Sequence, residues 1–247
     1  MTRTYGQPWN KGRSVGARKA LSQQGVRQIQ SSLIDQNNRH DLCLFLVAID
    51  TMLRASDLLR LRVCDVVDSN GNVKTTFPWR QKKTAISVYP VLTPTTQKAV
   101  LDWVVASDKQ SQDYLFTREK PNTGEPISIG FYRTLIKRWV ALIGLSPEAY
   151  SAHSLRRTKA IFLYDQGVSI ELIGRLLGHR SSASTIRYLG LDEAQAKHAA
   201  LTNDIFKSKV KRSPKPKLST SEINKIADQI WERLASRIPQ NLTKTEE

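Results

Sequence analysis

The 247-residue sequence is short of cysteine, histidine and long apolar runs, and each shortage removes a class of function. Two cysteines, Cys43 and Cys64, cannot by themselves build a disulfide framework or a four-ligand zinc site. Four histidines, at 40, 153, 179 and 198, make a metal enzyme an unpromising reading. The longest apolar run, Leu42 to Ile49, is too short for a bilayer, which takes about 20 residues. The amino terminus lacks the charged-then-apolar layout of a signal peptide. Acidic residues are scarce as well. Lys and Arg number 38 against 22 Asp and Glu, a net charge of +16. Such an excess attracts a polyanion, either nucleic acid or an anionic membrane surface. With no membrane segment, the expectation is a cytoplasmic protein bound to DNA or RNA. A basic ribosome-associated or RNA-binding protein is the bland alternative.

The charge is unevenly spread. Met1 to Leu33 holds six basic residues and no acid, and Gly6, Pro8, Gly12 and Gly16 make residues 1–16 a flexible basic arm. A second acid-free run, Lys207 to Lys217, has six basic residues around Pro214 and Pro216, which favours an extended linker over 207–218. The folded body is expected at 17–206, with an amphipathic helix and tail at 219–247. Ile223, Ile226, Ile230, Leu234 and Ile238 form the apolar stripe of that last helix. Docking on a neighbouring subunit and packing on its own domain are both open for it.

Periodicity predicts a mainly α body with a small antiparallel β-sheet, an α+β fold. Helices are expected over 20–36, Leu42–Leu53, Thr93–Val105, Gly130–Ile143, Ser151–Gln166 and Asp192–Ala200. Ser56 and Asp57 read as a cap starting a helix through Leu61. Ser169 caps another that Gly178 ends, and a short helix from Ser184 carries Tyr188. Asn72–Phe77 and Ala85–Val91 are the strand candidates, with Arg80–Lys83 as the turn between them.

Alone, His153-Ser-Leu-Arg156 is a weak signal. The spacing puts imidazole and guanidinium on one helix face, where both could meet a phosphate, but exposed helical pairs of this kind are common. Gly178-His179, followed nine residues later by Tyr188, adds to it. Together the segments "TMLRASDLLRLRVCDV" (51–66), "RQKKTAISVYPV" (80–91), "SAHSLRRTKA" (151–160) and "LLGHRSSASTIRYLG" (176–190) resemble the tyrosine recombinases of the phage-integrase family.

That resemblance implies the catalytic-domain fold of the family and six active-site positions: Arg54, Lys83 (with Lys82 as its rival), His153, Arg156, His179 and Tyr188. Met52 stands where the family usually has glycine, and Asp57 where glutamate is commoner. Fewer than twenty residues precede the expected body, so a separate amino-terminal DNA-clamping domain, as many members carry, is not expected in this sequence. The chain is in this respect similar to short recombinases such as bacterial DNA invertases and plasmid resolvases.

The chemistry of phosphodiester cleavage needs these residue types. Two fixed guanidiniums, Arg54 and Arg156, offset charge on the nonbridging oxygens of the phosphate in flight. Tyr188 forms a covalent phosphotyrosine, and its phenol, with a reference pKa of about 10, needs a proton acceptor and cationic surroundings. His153 suits that proton, His179 a hydrogen bond to the phosphate, and Lys83 protonation of the leaving oxygen. The covalent link conserves the bond, so neither metal, ATP nor another cofactor is expected. Arg80, Lys82, Arg157, Lys159 and Arg180 are candidate contacts to flanking phosphates. By resemblance, the partners are double-stranded DNA at specific sites, a homotetramer in the synaptic complex and accessory DNA-bending proteins. A type IB DNA topoisomerase would use the same residues, and a non-catalytic DNA-binding regulator could keep the fold.

Overall fold

A computed structural model describes residues 19–118 and 124–191, all within one compact unit spanning residues 1–196. The expected arm at 1–16, the helix at 192–200, the linker at 207–218 and the terminal helix and tail at 219–247 lie outside the described residues.

Helix α1 (Gln23–Asp35) starts where the Ser22 side chain accepts the N–H of Gly25, and it buries Ile29 and Leu33 along one face. Helix α2 (Arg39–Thr51) starts at Asn38, whose side chain accepts from the N–H of Asp41. It is buried on nearly every side, as its unbroken apolar run requires. Two four-residue helices follow, α3 (Ala55–Leu58) and α4 (Val63–Val66). Strands β1 (Trp79–Arg80) and β2 (Ser87–Val88) pair antiparallel, Trp79 opposite Val88 and Arg80 opposite Ser87. Helix α5 (Pro94–Ala106) has proline in its first turn, where no N–H is needed. Helix α6 (Ile129–Leu142) is capped by Ser128, and α7 (Ala152–Asp165) carries the HxxR segment behind Ser151. Helix α8 (Ile170–Leu177) runs from the Ser169 cap to Gly178, and α9 (Ser182–Leu189) from Ser181 to Gly190.

The main core packs α2 against α1, α5, α6 and α7, with Phe45, Tyr132 and Trp139 stacked edge to face at its centre. A second, smaller cluster joins Met52, Ala160, Ile173, Leu177 and Leu189. This cluster lies under the ends of α8 and α9, and it supports the residues that follow.

The fold is mainly helical with a small antiparallel sheet, as expected, but two local readings need correction. The strand pairing starts at Trp79, not at Asn72. Pro78 has no N–H for a ladder, so Thr76 and Val91 make only an isolated bridge. Upstream, Val73 pairs back with Val67, and the Asp68 carboxylate accepts the N–H groups of Asn70 and Asn72. The third helix begins at Ala55 with Arg54 as its cap and ends at Leu58, so Ser56 and Asp57 do not start a helix reaching Leu61. Asp57 turns into the interior, where its carboxylate serves a distant partner instead of a cap.

Among the described residues, no helix is long and apolar enough to cross a membrane. No three His, Cys, Asp or Glu side chains there are grouped to hold a metal ion.

Candidate active site

Arg54 enters the site from the junction of α2 and α3. Met52 ends α2 in the left-handed region, at φ 50° and ψ 26°, which redirects the chain. A side chain is uncommon at that conformation, hence the glycine usual in the family. Here the strain is opposed by burial, since Met52 is 3% exposed and packs in the cluster with Leu177 and Leu189. Arg54 follows in extended geometry, and its Nη1 donates to Oε1 of Gln81.

Arg156 lies on α7, only 2% exposed. Its Nη2 donates to the carbonyl of Leu177 at 2.6 Å, while Nη1 is buried with no hydrogen-bond partner among the described residues. A buried guanidinium with one N–H pair unsatisfied is costly unless an acceptor arrives. Burial lowers its pKa to about 10, with Arg54 adding to the shift and Tyr188 and Asp57 opposing it, so it stays cationic at neutral pH.

Tyr188 lies near the end of α9. The Arg156 Cζ is 5.9 Å from its ring centroid, and its hydroxyl is buried without a well-formed hydrogen bond. Burial pushes the phenol pKa up, and Arg156, Arg157 and Arg54 pull the other way. The His179 ring stands edge-on to Tyr188, with centroids 5.3 Å apart and planes at 80°. Its Nδ1 shares a 3.0 Å hydrogen bond with Thr185 Oγ1. Burial, then Arg156 and Arg54, lowers the His179 pKa to about 4. His153, one helical turn before Arg156, is at the rim. Partial desolvation lowers its pKa, reinforced by Arg156, Arg54, Lys83 and Arg133. Both imidazoles are therefore neutral at pH 7. The structure thus brings Arg54, Arg156, His179 and Tyr188 into contact or one remove from it, with His153 and Lys83 close enough to feel the same charges.

The β1–β2 turn carries Lys82 and Lys83 with both side chains exposed. Lys83 is among the main charges acting on His153, which favours Lys83 as the inner lysine. Arg80 is exposed on β1, and Arg180 is exposed with Nη2 3.4 Å from the carbonyl of Thr84 in the turn. Two of the proposed phosphate contacts are placed otherwise. Lys159 is paired with the Asp50 carboxylate in the interior, each side chain being at most 17% exposed. That carboxylate also accepts from Thr93 and Thr96, so the ammonium neutralises an internal charge. Arg157 is half-buried and its Nη2 donates to the Leu189 carbonyl at 2.8 Å, bracing the end of the tyrosine helix.

Three polar residues were missed from sequence. Gln81 links Arg54 to the end of α8, Thr185 holds His179, and Arg133 on α6 adds charge beside His153. Gln81 had one visible sign, a lone neutral amide inside a basic turn. Nothing local singled out the other two.

The phage integrase family matches residues 19–195. The probable integrase/recombinase YoeC of Bacillus subtilis is 31% identical over 169 residues, which is 68% of this chain and 86% of that protein. The chain belongs to the phage integrase family. Among its other relatives is the tyrosine recombinase XerC of Caldanaerobacter subterraneus subsp. tengcongensis, 24% identical over 189 residues, 75% of this chain but 51% of that one. The chain thus spans about half the length of that XerC protein. In fold, the XerA recombinase crystal structure superposes with a TM-score of 0.61 at 19% identity, over 77% of this chain and 65% of that one. A lambda integrase dimer bound to a COC′ core site gives 0.55 at 18% identity, covering 81% and 53%. Membership of the integrase family makes this a tyrosine recombinase, not a type IB topoisomerase or a non-catalytic regulator.

Proposed function

We propose that this integrase-family protein cuts and rejoins double-stranded DNA at specific sites through Tyr188. One observation carries the reading. Tyr188 is in contact with a buried, cationic Arg156 whose Nη1 has no partner among the described residues. That arrangement is poised for an oxyanion supplied from outside.

The reaction follows from the groups around it. The Tyr188 oxygen attacks phosphorus, the P–O5′ bond breaks, and a 3′-phosphotyrosine and a free 5′-hydroxyl result. Arg54 and Arg156 hold the nonbridging oxygens as charge gathers there. His153 is neutral at pH 7, the state a proton acceptor needs, and it takes the phenol proton. His179, also neutral, hydrogen-bonds the phosphate. Lys83 gives a proton to the departing oxygen. The steps reverse when the 5′-hydroxyl of a partner strand attacks the phosphotyrosine, and the conserved bond makes a nucleotide or metal unnecessary.

Arg80, Lys82 and Arg180 are exposed on one turn or against it, and they extend the basic surface to flanking phosphates. A tetramer on two sites, assisted by DNA-bending proteins, is the assembly that strand exchange between duplexes requires. In this reading residues 17–206 are the catalytic domain, 1–16 and 207–218 are basic DNA-following segments, and 219–247 an amphipathic helix and tail that dock on a neighbouring subunit or on their own domain.

The test is trapping on a nicked suicide site drawn from DNA neighbouring the gene. Wild type should form a covalent protein–DNA adduct, and Tyr188→Phe should form none while binding the site within a few fold. An adduct formed by the phenylalanine variant would remove Tyr188 as the nucleophile.

A further inference from the structure

Gln81 is the most connected neutral side chain at the site, and no step above uses it. It is 1% exposed at the start of the lysine-bearing turn. Its Oε1 accepts from Arg54 Nη1 and, at 2.9 Å, from Thr84 Oγ1. Its Nε2 donates to the Leu177 carbonyl at 3.0 Å. The partners settle which end is oxygen, because a guanidinium can only donate and a carbonyl only accept. The same Leu177 carbonyl accepts from Arg156 Nη2. One amide therefore joins Arg54 directly, and Arg156 through a shared acceptor, across 96 residues of sequence.

Gly178 is shaped around this amide. A Cβ there would lie 2.8 Å from both Oε1 and Nε2 of Gln81, and its φ of 65° is left-handed. Glycine at this position thus serves the close approach as well as the end of α8.

We propose that Gln81 is a positioning residue for strand cleavage: its amide sets the two phosphate-binding guanidiniums relative to each other and to the lysine turn. The proposal rests on the phosphotyrosine reading above. Neutrality matters to it. A glutamate in the same place would pair with Arg54 and withdraw its charge from the phosphate, besides repelling the Leu177 carbonyl. An apolar side chain would leave Arg54 turning freely on a long, flexible stem.

The test compares Gln81→Met, close to glutamine in length, with Gln81→Glu and Arg54→Ala in single-turnover cleavage. Two substrates are used, an ordinary phosphodiester and a methylphosphonate in which a neutral methyl replaces one charged nonbridging oxygen. Both Gln81 variants should cleave the diester at least ten-fold slower than wild type, with site binding within three-fold. On the methylphosphonate, where less charge needs a guanidinium, the defect of Gln81→Met should shrink at least ten-fold, in parallel with Arg54→Ala. An equal defect on both substrates, or none on the diester, overturns the proposal. A second readout needs no DNA: nitrogen-15 NMR of the guanidinium groups, with Arg54 assigned by Arg54→Lys. Rotation about its terminal C–N bonds should be slow in wild type and fast in Gln81→Met, and unchanged rotation also overturns the proposal. Absence of any adduct with wild type, by contrast, would count against the phosphotyrosine reading while leaving the NMR result to decide the role of Gln81.

Discussion

The buried carboxylate of Asp57 accepts the backbone N–H of Lys82 at 2.8 Å, tying α3 to the lysine turn. The same carboxylate favours the charged state of Arg156. The arginine and lysine segments, 25 residues apart, are in this way one structural unit. Asp57→Ala would leave a partly buried N–H unpaired, a loss of about 1–3 kcal/mol. Thermal melts should show a lower midpoint, and cleavage should slow because the lysine turn loses its anchor. Unchanged melting and cleavage would mean the turn is held by β1–β2 pairing alone.

Lys83 and Lys82 can be separated by leaving-group chemistry. Lys83→Ala should cleave an ordinary phosphodiester at least about a hundred-fold slower, in the usual range for losing a positioned general acid. With a 5′-bridging phosphorothiolate, whose sulfur leaves without a proton, most of that defect should vanish. Lys82→Ala should show a smaller defect and no such rescue. The opposite pattern would assign the acid to Lys82.

Arg157 offers a contrast between bracing and DNA binding. Its guanidinium holds the Leu189 carbonyl, and a Cβ on Gly190 would lie 2.6 Å from its Nη2. Arg157→Met should therefore slow adduct formation by loosening the end of α9. The dependence of log affinity on log salt should stay the same. Were the guanidinium neutralising a DNA phosphate, its removal would instead flatten that slope by about 0.9.

Acid should destabilise the fold through its histidines first. His179 has a folded-state pKa of about 4, and that of His153 is also lowered, against an unfolded value of about 6.5. Between these values the unfolded chain binds more protons, so stability rises with pH. Their contribution is complete above about 6.5 and is lost as pH falls towards 4. Asp41 and Asp50, whose pKa values are also lowered, extend the loss to lower pH. Urea melts at pH 7, 6 and 5 should show this decline, and His179→Asn should flatten it. A flat profile in the native protein would place His179 outside the desolvated cleft.

Local rules made much of the fold legible. Ser169 starts α8 where its hydroxyl suggested, and Gly178 ends it in the left-handed conformation that turns the chain towards His179. The spacing of His153 and Arg156 puts them on one face because a helical turn is local geometry. Six active-site positions were expected from linear motifs, and the structure brings Arg54, Arg156, His179 and Tyr188 near one another. What failed depended on partners far along the chain. Lys159 is an interior counter-ion because Asp50 lies 109 residues away in sequence and beside it in space. Arg157 braces a carbonyl 32 residues on, and Gln81 spans 96 residues to Leu177. The strand register slipped because Pro78 stops the ladder while Asp68 and Val67 draw the preceding segment backwards. Side-chain type and spacing thus determined which chemistry the chain holds. Only tertiary packing decided which cations face the cleft, since a charge is spent on the nearest buried acceptor before any is left for DNA.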